Sequence, residues 1–273
     1  MSTSTTAYPA PIDACLSPVY GPVESWRFGR SLGIDPIGLT STCTFDCVYC
    51  QLGGIDQKTC DRQIFTSTAR ILWDLQFHAP WHHVDVITLS GSGEPTLALN
   101  LGTILSSIKA LISKPVIVLT NGSLLQDPDV QAELAIADQV AIKVDAISAA
   151  QFRSINRSLP DVDLLELWLG IEEFRQGYQG YLAIQTMMLA PWNDYNQSEY
   201  IRLMRELAPD EIQLNTPTRP RPLAHQPDAR GNQVMEFSYP VQSFRPVSAQ
   251  VLREFGDRIY HETHIPVRWA INS

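Results

Sequence analysis

The chain has 273 residues, of which 44% are hydrophobic, and its 20 Lys and Arg against 29 Asp and Glu give a formal charge of −9. No apolar run approaches the ~20 residues that a membrane-spanning helix needs, so no membrane partner is expected. The acidic balance argues against a large nucleic-acid footprint, because phosphate contacts require Lys and Arg.

The length suits one large α/β domain. The opening segment, Met1-Ser2-Thr3-Ser4-Thr5-Thr6, is polar, and residues 1–17 are expected to be flexible. Nothing in it reads as a secretory signal, so a cytoplasmic, reducing location is expected, in which free thiols persist. A first strand at 31–37 leads into a cysteine-rich loop. A helix over 67–78 places Ile71, Leu72 and Leu75 on one face. The run VDVITL at 84–89 reads as a buried strand, 99–112 as a helix ended by Pro115, and 116–119 as a third strand. A fourth strand is expected at 139–144, and Ser148-Ala149-Ala150-Gln151 matches a capping box opening a short helix. A helix at 164–175, a strand at 181–189, a helix capped by Asn196-Gln197-Ser198-Glu199 and a strand at 211–215 follow. Residues 216–247 show no clear period, 248–262 read as the last helix and 266–271 as a short final strand. Alternating strands and helices predict a parallel sheet, and six such units predict a partial (β/α)6 TIM-like barrel with its site at the carboxyl ends of the strands.

Polar, glycine-bearing segments do follow the strands. Ser90-Gly91-Ser92-Gly93-Glu94-Pro95-Thr96 follows the second, Thr120-Asn121-Gly122-Ser123 the third, and Lys143-Val144-Asp145 ends the fourth. Each alone is an ordinary turn signal. Lys143 and Asp145 share one strand face, as do Gln213 and Asn215, so Lys143, Asp145 and Asn215 are candidate substrate contacts, with Gln185, Gln213, Asn156 and Arg157 as further polar candidates. The pairs Arg27/Arg30 and Arg219/Arg221 read first as solvated surface or structural ion pairs.

The most specific feature is Cys43-Thr44-Phe45-Asp46-Cys47-Val48-Tyr49-Cys50, a C-x3-C-x2-C spacing with an aromatic residue before the last cysteine. A [4Fe–4S] cluster normally takes four thiolates, so three on one loop would leave one iron open for a substrate or cofactor. A structural zinc site is the rival, but Cys15 and Cys60 supply no second pair and His78, His82 and His83 lack finger spacing. A disulfide is disfavoured in a reducing compartment.

This loop resembles the signature of the radical S-adenosylmethionine (radical SAM) enzymes. The resemblance implies that Cys43, Cys47 and Cys50 bind a [4Fe–4S] cluster whose open iron is chelated by S-adenosylmethionine. One electron then cleaves the sulfonium to methionine and a 5′-deoxyadenosyl radical, which abstracts a hydrogen atom from the substrate. It also implies that Tyr49 lies against the adenine, that Gly91, Ser92, Gly93 and Glu94, about 45 residues beyond the cysteines, bind the amino group, and that Asn121 reaches the ribose or methionine part. On this resemblance residues 18–222 form the radical SAM core and 223–273 an extension packing on it.

Tyr20–Gly33, Tyr49–Gly53, Ile155–Arg157 and Asn215–Pro220 further resemble a subgroup of small radical SAM proteins related to the tRNA wyosine-base synthases. A small molecule or an RNA nucleoside is the implied substrate, and an electron donor such as flavodoxin or ferredoxin the implied partner. The alternatives are an activase for a glycyl-radical enzyme and a non-catalytic zinc or iron–sulfur protein.

Overall fold

The computed structural model describes residues 17–77, 79–231 and 238–270. Its centre is an eight-stranded sheet. β1 (Val19–Ser25) folds back antiparallel on β2 (Gly29–Ile34), and β3 (Val86–Leu89), β4 (Val116–Thr120), β5 (Gln139–Lys143), β6 (Tyr181–Met187), β7 (Glu211–Asn215) and β8 (Val267–Trp269) follow side by side, all parallel to β2. The sheet curls into a half-barrel, and Arg268 on the last strand donates to the carbonyls of Trp26 and Arg27 in the turn before β2.

Helices α1 (Thr68–Phe77), α2 (Leu101–Leu111), α3 (Pro128–Leu134), α5 (Leu164–Gly177), α6 (Asp194–Leu207) and α7 (Ala249–Thr263) lie in the crossovers that parallel strands require. A short α4 (Ala149–Ile155) precedes α5. Their starts are written locally: Asp127, Ser148, Asp163, Asn193 and Ser248 each accept a backbone N–H of the first turn.

Strand alternation divides the interior. Val140 and Ile142 on β5, Leu182 and Ile184 on β6, and Ile212 and Leu214 on β7 join the core shared with the helices. Their neighbours Lys143, Gln185, Gln213 and Asn215 line the concave side instead. The concave face of the barrel therefore carries polar side chains among apolar ones, and that is where the site lies.

All six expected parallel strands are present, and the expected final strand is β8, with Ile271 outside the described residues. Helix α6 begins one turn before the predicted cap, because Asn193 rather than Asn196 accepts the first-turn N–H. Two elements were not foreseen. β1 holds a Gly-Pro and a bulge on an exposed edge, so it lacks a buried-strand pattern. α3 buries only Val130 and Leu134, although Asp127 followed by Pro128 is a legible start. The described residues contain no helix long and apolar enough to cross a membrane. Of residues 1–17, only Ser17 is described.

Candidate active site

The segment after β2 is fixed before it reaches the cysteines. Asp35, fully buried, accepts the backbone N–H groups of Ile37 and Gly38 on Oδ1, both at 3.0 Å. Its Oδ2 accepts Ser92 Oγ at 2.7 Å and Arg230 Nη1 at 2.8 Å. The cysteine loop then locks onto the turn after β3: Thr42 N donates to Ser92 O at 2.9 Å, and Glu94 N to Thr42 O at 3.0 Å. This close approach requires glycine, since a Cβ at Gly93 would lie 1.7 Å from Thr42 O and one at Gly91 would lie 2.4 Å from Asp35 Cγ. A second anchor comes from α4, whose last carbonyls at Ile155 and Asn156 accept the N–H groups of Val48 and Asp46. Arg221 closes the loop from outside, 2.7 Å from Asp46.

Cys43, Cys47 and Cys50 all open on a cavity of ≈ 330 Å³. Two of the sulfurs meet amide donors. Phe45 N and Asn121 Nδ2 approach Cys43 Sγ at 3.4 and 3.6 Å, and Asn156 Nδ2 approaches Cys47 Sγ at 3.5 Å. Each residue keeps some surface at the cavity edge while its sulfur is walled by protein. Burial pushes all three thiols up, Cys43 well above its ordinary value and Cys47 to about 12. Buried thiolates need a cation, and N–H groups aimed at sulfur suit iron–sulfur ligation, so the donor set fits a cluster. Among the described residues no three His, Cys, Asp or Glu side chains converge closely enough to hold a single ion, as a structural zinc would need. Cys60 is exposed, and Cys15 and His78 lie outside the described residues.

Of the other predicted residues, Tyr49, Gly91, Gly93, Glu94, Asn121, Lys143 and Asn215 line the same cavity. Ser92 does not: its hydroxyl turns back to Asp35 and it is fully buried. Glu94 is engaged by the protein itself, accepting Thr96 N, Thr96 Oγ1 and Thr120 Oγ1 on one oxygen and Asn121 N on the other. Burial holds its carboxyl above the usual range against these four donors. Asn121 serves the loop more than the open space, since its amide also donates to Thr44 Oγ1 at 2.8 Å.

Asp145 also stays off the cavity wall. β5 ends at Lys143, so strand alternation no longer fixes where Asp145 points. It accepts Met187 N at 2.8 Å and Asn156 Nδ2 at 2.9 Å, and Tyr49 donates its phenol to it. Lys143 donates to the same phenol at 2.9 Å and stands 4.5 Å from the ring centroid. Burial and Asp145 keep the Tyr49 phenol well above its usual range, hence neutral. Deeper in the barrel Gln185 donates to Gln213 at 2.9 Å, and Asn215 accepts Thr216 N.

Sequence reasoning did not find Asp35 and Arg230, which meet across 195 positions, or Thr44 and Thr120, which bond Asn121 and Glu94. Arg157, a candidate polar contact, does not line the cavity and stands 3.7 Å from Asp46, whereas Arg30 pairs with Asp85 at 3.5 Å, as expected of a surface ion.

Comparisons with known proteins agree with this geometry. The chain is 49% identical over 254 residues to the UPF0026 protein slr1464 of Synechocystis sp., covering 92% of this chain and 96% of that protein. It is 28% identical over 199 residues to a probable GTP 3′,8-cyclase of Saccharolobus islandicus, covering 69% and 58%. The fold resembles Streptococcus suis SuiB bound to S-adenosylmethionine, with a TM-score of 0.57 at 13% identity, over 86% of this chain and 49% of that one. A family model described as the Radical SAM superfamily matches residues 37–193, from the cysteine loop through β6, and the chain belongs to that superfamily.

Proposed function

We propose that the protein is a radical SAM enzyme in which Cys43, Cys47 and Cys50 hold a [4Fe–4S] cluster. The observation that carries this reading is the cysteine loop itself, its three cysteines on one cavity and its backbone bonded to the Gly91–Glu94 turn. When bound, the reduced cluster and S-adenosylmethionine supply the one-electron cleavage and the hydrogen-abstracting radical.

The chain's residues bind, orient and exclude water. Asn121 and Asn156 stabilise thiolate charge on Cys43 and Cys47. Gly91 and Gly93 leave backbone accessible at the cavity edge for an ammonium group, and Glu94 adds its charge behind them. Tyr49, braced by Lys143 and Asp145, offers a ring face for a base. In this reading Asp145 is a positioning residue, and Lys143 and Asn215 face the substrate.

The substrate is a small molecule or an RNA nucleoside. The likeness to wyosine-base synthases and the GTP-cyclase relative both favour a nucleoside-like compound, and the amides of Gln185, Gln213 and Asn215 suit its polar edges. A flavodoxin or ferredoxin in the cytoplasm would supply the electron, and the reaction would be of oxidoreductase or lyase type.

The test is anaerobic. The protein is reconstituted with iron and sulfide, both are counted, and 5′-deoxyadenosine is measured after reduction with S-adenosylmethionine. About four irons and four sulfides per chain with 5′-deoxyadenosine are expected. Retained cleavage in Cys47→Ala would sink the assignment, as would one retained zinc per chain without sulfide.

A further inference from the structure

We propose that Arg27, supported by Arg219, forms an anion subsite that grips a phosphate or carboxylate of a small-molecule substrate. The proposal rests on the radical SAM reading and adds the charge class of its substrate.

Arg27 sits in the turn between β1 and β2 and lines the cavity together with Ser25 and Phe28. Its backbone is held by Ser25 Oγ, which accepts its N–H at 3.2 Å, and by Arg268, which donates to its carbonyl at 3.0 Å. Its guanidinium stands 5.1 Å from the ring centroid of Trp26 and 5.9 Å from that of Phe28. Aromatic rings position it, and no acid does.

Among the described residues, no carboxylate lies within ion-pair distance of Arg27, and its solvent-sealed Nε has no hydrogen-bond partner. The Nε atoms of Arg221 and Arg230 are also unpartnered, but their other nitrogens bond Asp46 and Asp35. Arg219 is a second guanidinium without an acid among the described residues, its Nη1 donating to Gln51 Oε1 at 3.2 Å. Burial and the neighbouring charges of Arg219 and Arg268 push Arg27 down to about 10. A protein of net charge −9 has carboxylates to spare, yet Arg27 on the cavity wall is left without one among the described residues, and the neighbouring Arg219, exposed and off that wall, adds positive charge beside it. The sealed, unpartnered Nε of the half-buried Arg27 carries a desolvation cost that a negative ligand would offset. The planar fork of a guanidinium matches phosphate and carboxylate alike.

The turn precedes β2 and the cysteine loop follows it, so the two lie a strand apart, roughly 17 Å at about 3.3 Å per residue. The subsite thus holds the far end of a molecule whose reacting end approaches the cysteines. One cavity-lining guanidinium with an exposed second beside it suits one terminal anion; a polynucleotide track needs a longer run of cations.

Titration calorimetry on the cluster-loaded chain with inorganic phosphate, and separately with acetate, tests this. One equivalent of phosphate or acetate should bind the wild type and Arg30→Gln, a surface arginine paired outside the cavity. Binding should weaken roughly 10- to 100-fold in Arg27→Gln and several-fold in Arg219→Gln. Arg27→Lys should recover part of it, which separates lost charge from misfolding. The tighter anion names the substrate's group. The proposal fails if neither anion binds the wild type, or if Arg27→Gln binds as well as wild type. It fails too if S-adenosylmethionine displaces the anion competitively, because the subsite would then serve the cofactor's carboxylate. Tight, steeply salt-dependent oligoribonucleotide binding without phosphate binding would replace it by an RNA surface. Wild-type 5′-deoxyadenosine formation reports on the radical SAM reading separately, so the two can fail independently.

Discussion

Arg230 and Arg27 line the same cavity, and the fold treats them in opposite ways. Arg230 lies near the carboxyl end of β2. It pairs with Asp35 at 2.8 Å, donates to Ser17 O at 3.1 Å and stands 5.0 Å from the Tyr20 ring centroid. Both side chains of that pair are sealed, at 4% and 0% exposure. Arg27, at the amino end of the same strand, has aromatic rings beside it and no acid among the described residues. At one end the protein satisfies its own polar groups, and the loop that carries the cysteines becomes rigid. At the other end a charge is left for a ligand to satisfy. Four substitutions test that contrast.

The largest effect is expected where the two motif loops interlock. A Cβ at Gly93 would overlap Thr42 O, and backbone cannot move aside as a flexible side chain can. Gly93→Ala should cost about 4 kcal/mol or more, seen as loss of the cooperative unfolding transition or of soluble protein. An alanine variant of near wild-type stability would mean that the interlock is loose. Next comes Arg230→Gln. It leaves the Asp35 carboxylate buried and short of its cation, so a loss of about 3–5 kcal/mol is expected in denaturant titrations. A loss under about 1 kcal/mol would place the pair among ordinary surface ions.

Tyr49→Phe is expected to be milder. Asp145 keeps Met187 N and Asn156 Nδ2 as donors, so its carboxylate is not orphaned, but two hydrogen bonds are lost, the phenol's to Asp145 and that of Lys143 to the phenol, and Lys143 is left facing the cavity. About 1–2 kcal/mol should go, with the cysteines still able to take iron in reconstitution. A drop in iron content would show that the phenol positions the loop and does not merely fill space.

The sequence reading reached the parallel strands and the cysteine loop because both are local signals: apolar runs of strand length, and three thiols in eight residues. It placed Lys143 and Asn215 on the cavity because strand alternation holds through the end of β5 and β7. It did not foresee that the Ser92 hydroxyl turns to Asp35, 57 positions earlier, or that Asp145, beyond the strand where alternation stops, bonds Tyr49, Asn156 and Met187. The four arginines it grouped in pairs separated by partner. Among the described residues Arg30 and Arg221 have acids and Arg27 and Arg219 do not, and no local pattern carries that difference.

Arg27→Gln is expected to cost the least stability, and the sign of its effect can be worked out. The folded-state value near 10 lies below the ordinary 12.5 of the guanidinium, so the unfolded chain holds the proton more tightly. Stability therefore rises with pH only above about 10, and at pH 7 the penalty of the buried charge is present in full. Removing the charge relieves that penalty but forfeits the contact with Trp26 and Phe28, worth about 0.5–1 kcal/mol. The relieved penalty is the larger of the two, so at pH 7 Arg27→Gln should be no less stable than wild type. In saturating phosphate the order should change, because a ligand that binds only the folded state stabilises it through mass action. Wild type should then gain in Tm while Arg27→Gln does not. A variant as damaged as Arg230→Gln without any anion present would show that Arg27 already has its partner within the fold, and the contrast between the two arginines would disappear.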